Sequence, residues 1–396
     1  MTIAIDLGTS TTHVAYVENR KPAVVPPGMI WAPEGARGTP AVVTITDTGA
    51  LVVGRDAERQ LVNRPACTVA GVKRLLGLPA DAPAAGHLVA SAGLELSTAA
   101  DGIVQVHVGG RMYGGAELCA PLLAAMKAEA QPYLPTPIED AVLVVPAGIG
   151  VPPQQAYAEA ARLAGLRVAA TVSEPVAVLL AYASARPARA RRQRVAVCHL
   201  GAGTFHVAVA ALGKDRVELQ ALRGHAALGG ADLDARVVDW IVAQTRAARD
   251  ADLTSDFAAM RRLWVAAART RHDLSLRASA DISLPFLTSG PQGPVHVELT
   301  LTRTQLEELT GELTDATLAH CRDALVEAGR GTLDALLLVG GVTAMPRIRE
   351  QVTALFGIEP VAGFEASEAA VRGAAVVAGG LAGTMTPITV AGVGPG

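Results

Sequence analysis

Two short stretches of one pattern restrict the folds open to this chain more than anything else in it. Residues 195–211 read VAVCHLGAGTFHVAVAA, with an alternating apolar run at Val195 and Val197, a small-residue loop at Gly201-Ala202-Gly203-Thr204, and a second run through Val207 and Val209. That is a β-hairpin whose glycine-rich turn lets backbone N–H groups approach a ligand closely. The N-terminus carries a near-copy, Thr2-Ile3-Ala4-Ile5-Asp6-Leu7-Gly8-Thr9-Ser10, followed by Val14, Ala15, Tyr16 and Val17. Two such clips in one chain imply two lobes gripping one polyphosphate. The second clip is flanked by His199 and His206, where acids would be expected.

A chain of 396 residues exceeds one simple core, which agrees with two lobes. Half the residues are hydrophobic and only 3% aromatic, so the core must be built from Ala, Val and Leu. The net charge of −3 gives no general attraction to nucleic acid or to anionic membranes. Lys21, Lys73, Lys127 and Lys214 are the only lysines in an Ala- and Arg-rich sequence of high-GC bacterial character, so each deserves scrutiny. Cys67, Cys119, Cys198 and Cys321 form no CxxC pair, which argues against a disulfide framework and for a reducing, cytoplasmic location. Asp6 interrupts any leader-like apolar run, and the apolar segment 373–383 falls short of the roughly 20 residues of a membrane span.

Along the chain the period changes predict strands alternating with helices. Residues 42–45 and 51–54 read as a hairpin, 56–63 as a short helix, and 79–100 as an irregular excursion. The run 141–146 is a buried strand, followed by a helix from Pro152 to Ala164 closed by Gly165. Ser173-Glu174-Pro175 opens another helix. The five arginines of 185–194 read as a solvated connector between the lobes rather than a contact patch. A long helix is expected over 304–329, with Thr304 as N-cap and Glu307 as its capping-box partner. The resulting division is lobe I at 1–184 with an insertion at about 38–114, a connector at 185–194, lobe II at 195–383 with an insertion at about 229–303, and a loose tail at 384–396 with no substrate-binding domain. The chain is an α/β protein built twice.

A third motif, Leu338-Val339-Gly340-Gly341-Val342-Thr343-Ala344-Met345-Pro346, follows the two clips in order. Together they resemble the two phosphate motifs and the adenosine motif of the actin-like ATPase superfamily. Lys73-Arg74-Leu75-Leu76-Gly77, Val145-Pro146-Ala147, Glu174-Pro175 with Ala181-Tyr182, and Leu228-Gly229-Gly230-Ala231-Asp232-Leu233-Asp234 narrow the resemblance to the nucleotide-binding domain of the seventy-kilodalton heat-shock (DnaK-type) chaperones. The resemblance implies an actin-like ATPase fold, each lobe built on a ribonuclease-H-like mixed sheet with the nucleotide cleft between. It implies that ATP or ADP is held by Gly8, Thr9 and Ser10 from one lobe and by Gly201, Ala202, Gly203 and Thr204 from the other. It places Gly229, Gly230, Gly340, Gly341, Arg347, Arg271, His272 and Ser275 around the ribose and adenine. Lys73, Glu174, Asp6 and Thr204 take the catalytic positions, and Asp6 also stands near the metal.

The departures shape the functional reading. In the family the second clip begins and ends in aspartate, and both acids help to hold Mg²⁺; here they are His199 and His206. Mg²⁺ prefers oxygen ligands, so Mg²⁺ is disfavoured and hydrolysis is expected to fall by orders of magnitude, because it depends on positioning and electrostatic stabilisation. Gln154 stands where the family has an arginine that signals to the substrate domain. Three readings of the histidines compete, in this order: relic positions in an idle site, direct phosphate contact, and a transition-metal site lacking a third ligand at suitable spacing. The expected function is an adenine-nucleotide-binding protein with weakened or absent hydrolysis, which acts on a protein partner as nucleotide-responsive scaffold. A slow ATPase working with a separate substrate-binding partner is the alternative, and a small-molecule phosphotransferase ranks third.

Overall fold

The computed structural model describes residues 1–26, 38–82, 85, 95–187, 191–249, 252–254, 256–290, 293–329 and 331–392. Two mixed sheets of matching design organise it. In the first, strands run in the order Arg167–Ser173, Asp140–Val145, Thr2–Leu7, Thr11–Glu18, Lys21–Val24, with the short strand Thr39–Pro40 pairing to Thr11–Glu18. In the second the order is Ala335–Val339, Gln193–Leu200, Phe205–Leu212, Arg216–His225, Thr389–Gly392. Each sheet has an antiparallel meander starting with a glycine clip, and a later strand returns parallel to the first strand of that meander. The duplication expected from the sequence is present.

Residue size decides which face each strand turns to which neighbour. Ile3, Ile5 and Leu7 point into the core of lobe I, while Ala4, Ala15, Val142 and Val144 face the other way. On the second sheet Val195, Val197, Ala208 and Ala210 do the same. These small residues cover the helices Glu174–Ala185 and Ala369–Leu381, which lie together between the two sheets. Close approach is only possible because Gly373 has no side chain: a Cβ there would stand 1.7 Å from the carbonyl oxygen of Ala177. Gly373→Ala should therefore cost about 2–3 kcal/mol, as overpacking does. Urea unfolding checks this, and an unchanged midpoint would show that the helices can slide apart freely. The helix Ala369–Leu381 packs on the strands of the first sheet, Thr2–Leu7 and Thr11–Glu18 among them, although a division by sequence assigns it to the second lobe.

Several sequence expectations need correction. The helix over 56–63 is two four-residue pieces, Arg55–Glu58 and Gln60–Asn63. The long helix at 304–329 breaks at Thr310 into Arg303–Leu309 and Gly311–Glu327. Its N-cap is Thr302, the last residue of the hairpin strand, with Gln305 completing the capping box, so the helix starts directly where the strand ends. The tail is not loose throughout: Thr389–Gly392 adds an edge strand parallel to Arg216–His225, and residues 393–396 lie outside the described ones. Of the excursion at 79–100, Glu95–Thr98 is a strand, and 83–84 and 86–94 fall outside the description. In the connector, where 188–190 are likewise outside, arginines among the described residues are tied to the chain itself. Arg191 meets Asp334 at 3.2 Å, Arg192 meets Glu218 at 2.9 Å, and Arg194 donates to the carbonyls of Ala328, Gly329 and Gly331. No helix among the described residues is long and apolar enough to cross a membrane.

Candidate functional site

Between the sheets lies a cavity of about 690 Å³, within the roughly 300–1,000 Å³ of small-molecule sites. Both clips line it: Asp6, Gly8, Thr9 and Ser10 from the first, Gly201, Ala202 and Thr204 from the second. Gly340 and Gly341 of the third motif line it as well, with Lys73, Glu174 and His199. The clips touch each other. A Cβ on Gly203 would come within 2.8 Å of Thr9 Oγ1, so Gly203 serves contact between the lobes rather than the cavity wall. Arg74, beside Lys73, reaches across to Asp232 on the first turn of the helix Gly230–Arg249 at 3.7 Å. Arg261 donates across the cleft to the carbonyl of Thr68.

Glu174 is the hub of the site. Pro175 preorganises the first turn of the helix Glu174–Ala185, leaving Glu174 buried at the helix start. Its Oε1 accepts from Lys73 Nζ at 2.5 Å, and its Oε2 accepts from Thr204 Oγ1 at 3.2 Å. His206 Nδ1 stands 3.0 Å from Oε2 and His199 Nδ1 3.3 Å, though neither ring N–H is aimed at that oxygen. Burial alone would raise the carboxyl's pKa; Lys73, then His199, hold it well below the usual carboxylate range. Burial likewise works against the Lys73 ammonium, and Glu174, Tyr157 and Asp6 together carry it above its ordinary value. Asp6 keeps some contact with the cavity, yet desolvation dominates and raises its pKa, with Lys73 and His13 opposing.

The imidazoles are fitted into the fold. His206 pairs across the ladder with Gly224, where a Cβ would lie 2.4 Å from the ring, so the opposite strand makes room for it. Its Nε2 accepts the backbone N–H of Ala147, in the loop after the strand Asp140–Val145, at 3.2 Å. One buried ring therefore bridges the backbone of lobe I and the clip of lobe II. His13, a third imidazole, is buried opposite Asp6 in the ladder and lines the cavity with no hydrogen-bond partner at either nitrogen.

The adenosine side differs from its sequence-based assignment. Arg347 does not line the cavity. It turns toward Glu307, at 3.9 Å, and shares a narrow pocket with Ser275. Two residues along the helix Pro346–Phe356, about 200° round its axis, Arg349 lines the cavity instead. Gly229 and Gly230 are also set back, their N–H groups donating to Asp232 Oδ2 at 2.8 Å and to the Gly201 carbonyl at 3.0 Å. Arg271 is held by Asp234 at 2.6 Å, Ser275 bonds back to the Arg271 carbonyl, and His272 is exposed. Sequence reasoning passed over the segment 360–367, which supplies the remaining wall. It carries no motif, and only its position after the helix Pro346–Phe356 brings it there.

Two sheets of one design, joined by shared helices, with a glycine clip from each facing a common cavity: this is the class of two-lobed proteins with the actin-like ATPase fold. The family model described as "Hsp70 protein" matches residues 2–395, and the chain belongs to the Hsp70 family. Members of the family bind ATP or ADP together with Mg²⁺, and membership makes this a DnaK-like nucleotide-binding protein of the chaperone class. The residues here do not suit Mg²⁺. Two of the three donors nearest the clip are imidazoles, and the third, Glu174, has one oxygen committed to Lys73. Mg²⁺ demands near-octahedral oxygen ligation, and among the described residues the cavity wall adds only the carboxyls of Asp6 and Glu365 to that of Glu174.

Proposed function

We propose that the chain binds adenine nucleotide in this cleft but turns it over weakly, and that closure of the lobes on the nucleotide changes a surface read by a protein partner. The observation that carries this is the state of Glu174. The acid that the family resemblance sets beside the attacking water is engaged by Lys73 and Thr204 and crowded by two imidazoles. The groups that would place and activate water are tied to one another, while the turns that would hold phosphate remain on the cavity wall. Clip-to-clip contact at Gly203 and Thr9 and the Arg74–Asp232 bridge give closure a physical basis, since a nucleotide touching both clips adds to contacts the lobes already make.

The slow-ATPase reading has one supporting observation: Lys73, Glu174 and Thr204 are assembled at hydrogen-bond distance rather than scattered. Calorimetric titration with ADP and ATP, in Mg²⁺ and in EDTA, tests the first reading. Binding with a Kd on the order of micromolar, changed less than about tenfold by Mg²⁺, is expected. No binding of either nucleotide would refute it, and strongly Mg²⁺-dependent binding would favour the conventional enzyme.

A further inference from the structure

We propose that Glu174, His199 and His206 form a binding site for a transition-metal ion of the Zn²⁺ type at the edge of the cavity, in place of Mg²⁺. The sequence shows two imidazoles without a third donor. The fold supplies that donor from another element: a carboxylate oxygen of Glu174 and one nitrogen of each ring lie within 4.8 Å of one another. Zn²⁺ binds imidazole nitrogen and carboxylate oxygen at about 2.0–2.2 Å, so two donors on a tetrahedral ion stand about 3.3–3.5 Å apart. The observed separations from Glu174 Oε2 are 3.3 Å for His199 Nδ1 and 3.0 Å for His206 Nδ1.

Crowding supports the same reading. The two Nδ1 atoms are both buried and stand within 3.3 Å of one carboxylate oxygen. Two imidazoles and a carboxylate are a borderline-soft set that suits Zn²⁺ and its neighbours in the series and does not suit Mg²⁺. His206 is 2% exposed and packed over Gly224, which fixes its ring in the fold whether or not an ion is bound. Lys73 holds Oε1 and leaves Oε2 to the ion. Ligation through His206 Nδ1 moves the ring proton to Nε2, so the Ala147 N–H, now facing a second donor, must turn away from the ring, a cost set against three metal–ligand bonds. Three protein ligands leave a fourth position, and His199, which lines the cavity, places it within reach of a phosphate oxygen. That last ligand rests on the nucleotide reading; the metal site does not.

The test uses the full chain, stripped of metal and free of nucleotide, so that it stands or falls apart from nucleotide binding. Zn²⁺ is titrated calorimetrically, and Co²⁺ is followed by the visible absorption of a low-coordinate ion. One equivalent of each should bind. His199→Asn and His206→Gln should each weaken binding by at least about 100-fold. A cooperative metal-free melt and a wild-type circular dichroism spectrum for His199→Asn, the less buried of the two ligands, separate ligand loss from misfolding. His320→Asn removes the imidazole tilted against His225, with ring centroids 5.8 Å apart, and should leave the affinity as it was. The proposal is overturned if the wild-type chain binds neither ion, if either His199→Asn or His206→Gln keeps wild-type affinity, or if His320→Asn abolishes binding.

Discussion

Replacing both histidines by aspartate, His199→Asp with His206→Asp, is expected to raise Mg²⁺-dependent ATP hydrolysis by at least about 100-fold. Single preorganised electrostatic groups in active sites are commonly worth a factor of about 10²–10³. The double variant restores two carboxylates beside the clip, where the wild-type chain offers Mg²⁺ neutral nitrogen. What the variant relieves is the crowding of Glu174 Oε2 by imidazoles at 3.0 and 3.3 Å, while both clips still face the cavity. Some stability is lost in return. Aspartate leaves space over Gly224 and takes the acceptor from the Ala147 N–H, together about 2–3 kcal/mol. Phosphate release at saturating ATP, compared between the two proteins, reads the effect. A variant that folds, binds nucleotide and remains as slow as the wild type would show that the histidines are not what limits hydrolysis.

Lys73→Met is the second large effect, and it falls on stability. Both partners of the Lys73–Glu174 pair are about 95% buried, and removing one strands the other's charge. Breaking such a pair costs about 3–5 kcal/mol. His199 and His206 stand against the same carboxylate and can share its charge, which puts the expected loss at the lower end, about 3 kcal/mol. Adding Glu174→Gln to Lys73→Met removes the stranded charge and should recover part of the loss. The double-mutant cycle, read by urea denaturation, decides the matter. A single variant as stable as the wild type would mean that the imidazoles alone satisfy Glu174 and that the lysine is dispensable to the fold.

What could be read from the chain was local. The clips announce themselves because a glycine turn between alternating apolar strands is a short-range pattern, and each appears in the fold near its expected bounds. Lys73 and Glu174 stand 101 residues apart and were paired only through family resemblance; nothing in their own surroundings predicts a 2.5 Å contact. The third ligand beside the histidines was invisible for the same reason, since spacing along the chain carries no information about a carboxylate on another helix. Arg347 and Arg349 differ by half a helical turn, and only the packing of Ile348 into the core shows which one turns to the cavity. The strand Thr389–Gly392 was missed because an edge strand of small residues lacks the apolar alternation that marks the others.

The central claim is that nucleotide is held here and left largely unhydrolysed. It is tested most directly by mixing labelled ATP and Mg²⁺ with the chain in excess, separating protein from free nucleotide, and identifying what remains bound. The label should travel with the protein and remain ATP over a time in which the His199→Asp, His206→Asp variant has converted its own to ADP. Label that fails to travel with the protein, or wild-type chain that converts its bound ATP as fast as that variant, would contradict the account.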